Sequence, residues 1–512
     1  MRRFVFVAQV LGLLIGFYLI CAALIAGLIA VTVVAFDAAG ANRGTFALLL
    51  VTLSGIFVVL RGVFVSTRVR TRDIVGIRVT PAEQPALWDR IRQLATRVDT
   101  RAPGRLYLVP DVNAAVWENT RLLGLIPGRR QMMVGVPLLM ALTPAQLDSV
   151  LAHELGHYGN RDTRLSGLVG RTRQSLLAAL RAAAGRRGRF ELPGADLFVT
   201  VFRAYAKVVL RFTQEASRAQ EYAADRVAAE IAGPANAITA LSQLRGIDLA
   251  FDFYLDRYLG PGLQLGLMPP PPEVFGGFTA MLADPARRAE LDRMRQNRPV
   301  ESVDPYDSHP PTAERIAALA ALPHDAAAPE ASDVRAITIL VDPADALARV
   351  AMRALKKHVN GKQTAPWDAL TNAVGMHDAD RRAMTLQDNV KLLSRRPADL
   401  PAFVELVDAG RLNELLDALP RNEASRRTNA TGRVAREHAK TELAAMLTGW
   451  IVAHLVRSGR AKWVHSWSDI DGELQLAPEL KAELDAAIDE LVAVRPDATR
   501  LRVLVLGMAV AA

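Results

Sequence analysis

The chain opens on an apolar run that carries no charged residue from Phe4 to Phe36, with Gln9 its most polar member. A bilayer core takes about 20 apolar residues as a helix, so this run crosses with length to spare. A second apolar run extends from Thr45 to Leu60 and reaches Val65 if Arg61 turns its guanidinium toward the headgroups. The link between them, Asp37 to Gly44, has room only for a turn. The pattern predicts a transmembrane helical hairpin over residues 1–72. A secretory signal is the rival reading of Arg2-Arg3 and the run behind them, but the run is too long for one and a second follows closely. Tyr18-Leu19-Ile20 before Cys21 also lacks the small residue that a lipoprotein signal requires.

Beyond residue 72 the periodicity becomes that of a globular protein. Ile74 to Val98 reads as a strand-like entry and an amphipathic helix with Leu87, Ile91, Leu94 and Val98 on one face. Arg105–Val109 and Gln131–Val136 read as strands. A helix then begins at Thr143, with Pro144 at its first position and Gln146 completing a capping box, and ends near Gly159-Asn160. Leu197 to Phe212 predicts another helix, whose apolar face is broken by Arg203, Lys207 and Arg211 and so does not read as a membrane span. Glu215 to Ile231 predicts one more. Pro269 to Pro272 marks a loop, and residues 323–333 are Ala-, Pro- and acid-rich, which reads as a linker. From 334 to 512 the pattern is mainly helical, with a possible hairpin around Trp463 to Leu476. The expected fold class is α+β and mainly helical. It divides into an anchor (1–72), a domain with a small sheet (73–322), a linker (323–333) and a mostly helical C-terminal domain (334–512).

Charge changes this picture by its placement. The net charge is +9, and residues 1–72 hold seven arginines against one acid, Asp37. Arg2 and Arg3 flank one end of the hairpin, Arg61, Arg68, Arg70 and Arg72 the other, and the connecting loop has only Arg43. The positive-inside rule therefore puts both ends, and everything after residue 72, in the cytoplasm. No nucleic-acid-binding signature accompanies the charge, so nucleic acid is not an expected partner. Cys21 is the only cysteine, which excludes an internal disulfide and a zinc site built from thiolates.

The candidate chemistry lies in His153-Glu154-Leu155-Gly156-His157. Histidines four apart on a helix project from one face and can grip one metal ion, while Glu154 stands where it can take a proton from an attacking water. Zinc brings the pKa of a bound water to about 7 and polarises a carbonyl, which is the chemistry of peptide hydrolysis. Two imidazoles leave a third ligand to be found. A metzincin continuation would place glycine and histidine where Asn160 and Thr163 stand, so that class fails. Glu221 is a candidate, with Asp225 on the same helical face able to accept a hydrogen bond from a ligand histidine. Taken alone, such an acidic pair is usually the solvated face of a helix.

Four separated motifs carry a resemblance. Asn113-Ala114-Ala115, Val150 to His157, Ser217 to Asp225 and Ser308-His309-Pro310-Pro311-Thr312-Ala313-Glu314-Arg315-Ile316 occur in the order found in the HtpX-like and CAAX-processing membrane zinc metallopeptidases, across roughly residues 73–322. The resemblance implies a gluzincin-like domain with Glu221 as third ligand and Asp225 behind a ligand histidine. It also implies that Asn113 and Ala114 line a substrate groove where an extended peptide pairs by strand addition. His309 would then stabilise the tetrahedral oxyanion, with Arg315 ordering that segment. HtpX-like members often carry further spans between the metal helix and the third ligand, and here residues 163–212 are too charged for them.

The expectation is a multi-pass protein of the cell (inner) membrane with its catalytic domain facing the cytoplasm. It would be a zinc-dependent metalloendopeptidase, with one Zn2+ per chain and Glu154 as general base. Its partners would be the bilayer and protein or peptide substrates in or near the membrane, in a quality-control role. The alternative is a membrane-anchored peptide-binding or scaffold protein with a non-catalytic metal site, and the presence of Glu154 weighs against it, because a structural zinc site needs no base. Peptide deformylase also uses the two-histidine helix but needs a cysteine ligand, and Cys21 sits in the membrane run.

Overall fold

The computed structural model describes residues 2–67, 74–118, 129–158, 195–296, 310–323, 334–356, 361–419 and 432–510. Two helices, α1 (Arg2–Ala39) and α2 (Arg43–Thr67), come first and run back along one another. Gly40 turns the chain with φ +63°, a region that side chains with a Cβ avoid. The Asn42 side chain then accepts from the amides of Gly44 and Thr45 at 2.8 and 3.1 Å, closing the exposed N-terminus of α2. Between the helices, Phe36 meets Phe46 edge-on, and the buried hydroxyls of Thr32 and Thr52 pair at 2.6 Å. Ala22–Ala39 is, among the described residues, the one stretch long and apolar enough to cross a membrane; the apolar part of α2, Arg43–Leu53, is shorter.

The globular part of this unit is built on a sheet of four strands, β1 (Ile77–Val79), β2 (Arg105–Val109), β3 (Ala114–Glu118) and β4 (Arg130–Gly135), in the order β1-β2-β4-β3. β2 runs parallel to β4, and the other two pairings are antiparallel. β4 is buried along its whole length, Arg130 and Gln131 at its start included, ahead of the apolar Met132-Met133-Val134. Helix α3 (Pro85–Arg97) lays Leu87, Trp88, Ile91 and Leu94 into the core, the face that the periodicity marks. At the end of β4 a Cβ on Gly135 would lie 2.1 Å from the carbonyl oxygen of Asp111, so only glycine lets the chain pass there.

The chain then turns through α4 (Val136–Ala141) into α5 (Pro144–Gly156), the helix of the histidine motif. Thr143 and Gln146 form the reciprocal capping box that their spacing predicts. Arg90 of α3 clasps Asp148 of α5 with two hydrogen bonds. Helix α6 (Ala195–Ala232) is continuous where the sequence suggests two helices, and it packs closely on α5.

The compact units are not consecutive segments. The first comprises Met1–Phe251 and Leu291–Lys356, the second Asp252–Glu290 and Lys357–Ala512. Residues 334–356, grouped by composition with the C-terminal segment, thus fold in the first unit: the Ala336 amide bonds the Leu142 carbonyl, and Gln84 makes a two-way amide pair with Val341, both bonds 2.8 Å. The physical reason is that composition reports local stiffness, whereas membership of a core depends on long-range hydrogen bonds. The bulk of the linker stretch, 324–333, lies outside the described residues.

The second unit is mostly helical. The long helices Trp367–Ser394 and Gly432–Arg457 pack through Leu386, Val390, Leu443, Leu447 and Ile451. The hairpin suggested around Trp463 forms from Ala461–Val464 and Glu473–Leu476. Pro271 and Pro272 open a helix, Pro271–Ala283, where the sequence marks a loop; proline is well suited to the first turn, whose amides need no partner.

Candidate metal centre

Where α6 crosses α5, a Cβ on Gly156 would sit 3.4 Å from Cα of Ala224 and from Cβ of Val227, and Ala224 and Ala228 are buried. This close approach carries the carboxylate of Glu221 to the face of α5 that bears the two imidazoles. His153 Nε2 lies 3.6 Å from Glu221 Oε2, and His157 Nε2 lies 3.7 Å from Glu221 Oε1. One donor atom from each of the three residues falls within 4.8 Å of the others. Two ligands about 2.0–2.1 Å from a tetrahedral zinc ion lie roughly 3.4 Å apart, so the donor set is spaced for such an ion. The imidazole planes meet at 83°.

Behind His153 stands Asp225, its Oδ1 3.0 Å from Nδ1 in a contact bent away from a straight hydrogen bond. Asp225 is in turn held by Arg315, which donates from Nε and Nη2 at 2.8 and 2.6 Å. The remaining Arg315 nitrogen lies 3.6 Å from Glu221 Oε2. Glu221, Asp225 and Arg315 are all buried. Two carboxylates and one guanidinium leave a negative surplus out of water, and Glu154 adds to it, so the site favours a further cation.

The ionisation of these groups follows from the same surplus. Burial alone would depress the His153 imidazole, but its contacts with Asp225 and Glu221 and the charge of Glu154 outweigh that and push it up to about 9. Burial would raise the Asp225 carboxyl; the Arg315 fork and then His153 hold it below the ordinary carboxylate value instead. A divalent ion held by these residues would answer the same charge that a proton does.

Of the residues marked in the sequence, the structure brings His153, His157, Glu221 and Asp225 together, with Glu154 on the same helix. Asn113 and Ala114 lie at the start of β3, the terminal strand of the sheet, which packs on α5. His309 lies outside the described residues. Arg315 is the residue whose part sequence reasoning read least well. Its segment could be flagged by motif, but its fork on Asp225 joins positions 90 residues apart.

Two imidazoles of one helix and a carboxylate of its neighbour converging on one point, with a second carboxylate behind, form a donor set of the kind that metal-dependent peptidases, which are hydrolases, use. Residues 81–322 match the model of peptidase family M48. A protease HtpX homolog of Paenarthrobacter aurescens (strain TC1) is 27% identical over 285 residues, covering 55% of this chain and 87% of the relative. One from Burkholderia ambifaria (strain MC40-6) is 27% identical over 306 residues, covering 58% and 94%. One from Acaryochloris marina (strain MBIC 11017) is 34% identical over 176 residues, covering 32% and 57%. No solved structure matches the chain.

Replacing Asp225 by Ala should lower metal affinity about 10- to 100-fold, because the ligand imidazole loses the group that orients it. Competition against a chromophoric chelator measures this, and an unchanged affinity would show that Asp225 does not support the site.

Proposed function

We propose that this chain is a membrane-anchored zinc endopeptidase that cleaves proteins in or beside the membrane from the cytoplasmic side, in a quality-control role. The convergence of His153, His157 and Glu221 carries the catalytic half of this reading. The apolar stretch Ala22–Ala39 and the arginines flanking the α1–α2 pair support the anchoring half.

In this reading His153, His157 and Glu221 hold the zinc, which when bound polarises the scissile carbonyl and acidifies water. Glu154 takes the proton from the attacking water and passes it to the leaving amine. Asp225 fixes the tautomer and ring orientation of His153, and Arg315 keeps Asp225 ionised and still. His309 is assigned to the oxyanion by resemblance of its segment. The substrate lies extended along β3, pairing with the backbone of Asn113 and Ala114, which brings a peptide of almost any sequence to the same place.

Three outcomes test this. Glu154→Gln should retain about one zinc per chain and lose cleavage of a peptide library by at least about 100-fold, the low end of what a general base supplies; metal analysis beside the assay separates a lost base from a lost site. Ala114→Pro removes an amide that points away from β4, and should raise KM for every peptide with kcat little changed; an unaltered KM would rule out strand addition. For topology, a Cys21→Ser chain with Ala41→Cys should react with an impermeant thiol reagent applied outside intact cells. Reaction only after lysis would reverse the proposed orientation.

A further inference from the structure

The edge of β3 that would receive a substrate is already partly occupied. The Gly135 amide donates to the carbonyl of Asn113, the residue before β3, at 2.7 Å, while the Asn113 amide turns to the Asp111 carbonyl; the one bond sets the phase of the β3–β4 ladder. Hydrogen-bonded pairs alternate along an antiparallel ladder, so Ala115 and Trp117 also turn their backbone groups toward Met133 and Gln131. Ala114, Val116 and Glu118 therefore turn theirs the other way. β3 ends the sheet, and among the described residues no further strand pairs with that edge. At Val116, however, the Tyr158 hydroxyl donates to the carbonyl at 3.1 Å.

Tyr158 follows the second histidine of the motif directly, and it is held firmly. The Arg130 guanidinium stands over its ring, 4.6 Å from the centroid. Thr100 Oγ1 donates to the Tyr158 carbonyl at 2.9 Å and accepts from Arg130 Nη1 at 2.7 Å. Arg130 is itself buried and tied to Glu118 of β3 and to the Arg101 carbonyl. A phenol placed by a buried cation, a backbone tie and its own hydrogen bond is a fixed part of the edge.

We propose that Tyr158 sets how much substrate backbone the enzyme reads: the peptide pairs with Ala114 and is stopped at Val116. This rests on the strand-addition reading given above. A peptide lying antiparallel on β3 would pair with both outward groups of Ala114, for which no strand among the described residues is a partner. Two residues further along, its next pair would need the Val116 carbonyl, where the phenol sits. Extension past that point adds no ladder hydrogen bonds. The recognised stretch is short, and selectivity falls on the side chains next to the scissile bond.

The test uses the full chain in detergent or bilayer, loaded with zinc, and two peptide series lengthened from one cleavable core, one at the amino end and one at the carboxyl end. In the wild-type enzyme one series should show no further fall in KM once Ala114 is paired. In Tyr158→Phe, which keeps the ring over Arg130, two more residues in that same series should lower KM about three- to tenfold, the worth of one or two regained hydrogen bonds. The other series, and kcat for the core, should stay as they were. A uniform change across all lengths, or none, overturns the proposal, since a merely structural tyrosine acts on every peptide alike. If Ala114→Pro also leaves KM unaltered, strand addition itself has failed; if it raises KM while Tyr158→Phe shows no length dependence, only the role of Tyr158 has failed.

Discussion

Glu221 and Asp225 are taken out of water where α6 crosses α5, and the rest of the site is arranged around the cost of doing so. An ionised carboxylate in a protein interior is tolerated only when its charge is answered and its lone pairs are used. Here Arg315 answers Asp225 with a two-bond fork, and His153 and His157 stand over Glu221. Removing one partner of such a set costs more than its bonds, because the charge left behind stays buried. The metal-binding geometry and the stability of the helix crossing are therefore one property.

At that crossing Gly156 lies against Ala224 and Val227, and the Glu221 carboxylate reaches the imidazoles of the opposite helix. Rigidity comes from the other side, where Arg90 clasps Asp148 and the capping box fixes the start of α5. The helix is thus held at both ends, since Tyr158 ties its C-terminal side to β3 and to Arg130.

The second unit has a different basis. Its segments 252–290 and 361–468 meet in a cluster of rings, with Tyr254, Tyr258, Trp367, His465 and Trp467 in mutual contact. Arg287, buried, bonds the carbonyls of Trp467 and Ser468 and lies 4.9 Å from the Phe253 centroid. This is a packed core stitched by one cation, and the family match ends at residue 322.

Much of the site was legible in the sequence because its signals are local. Four-residue spacing puts His153 and His157 on one face of any helix, Thr143-Pro144 with Gln146 starts that helix, and an uncharged run from Phe4 to Phe36 reads as membrane-compatible without reference to the fold. Ordered motifs singled out Glu221 and Asp225, but an acidic pair on one helix face is indistinguishable from a solvated one until a partner is in place. Only the tertiary structure decided that these carboxylates are buried, that Arg315 grips one of them, that 334–356 belong with the first unit and that a tyrosine hydroxyl sits on the open edge of β3. The reason is physical: a helix or an apolar span is specified by neighbours within a few residues, whereas charge compensation and edge pairing join groups tens to hundreds of residues apart, whose meeting is determined by packing alone.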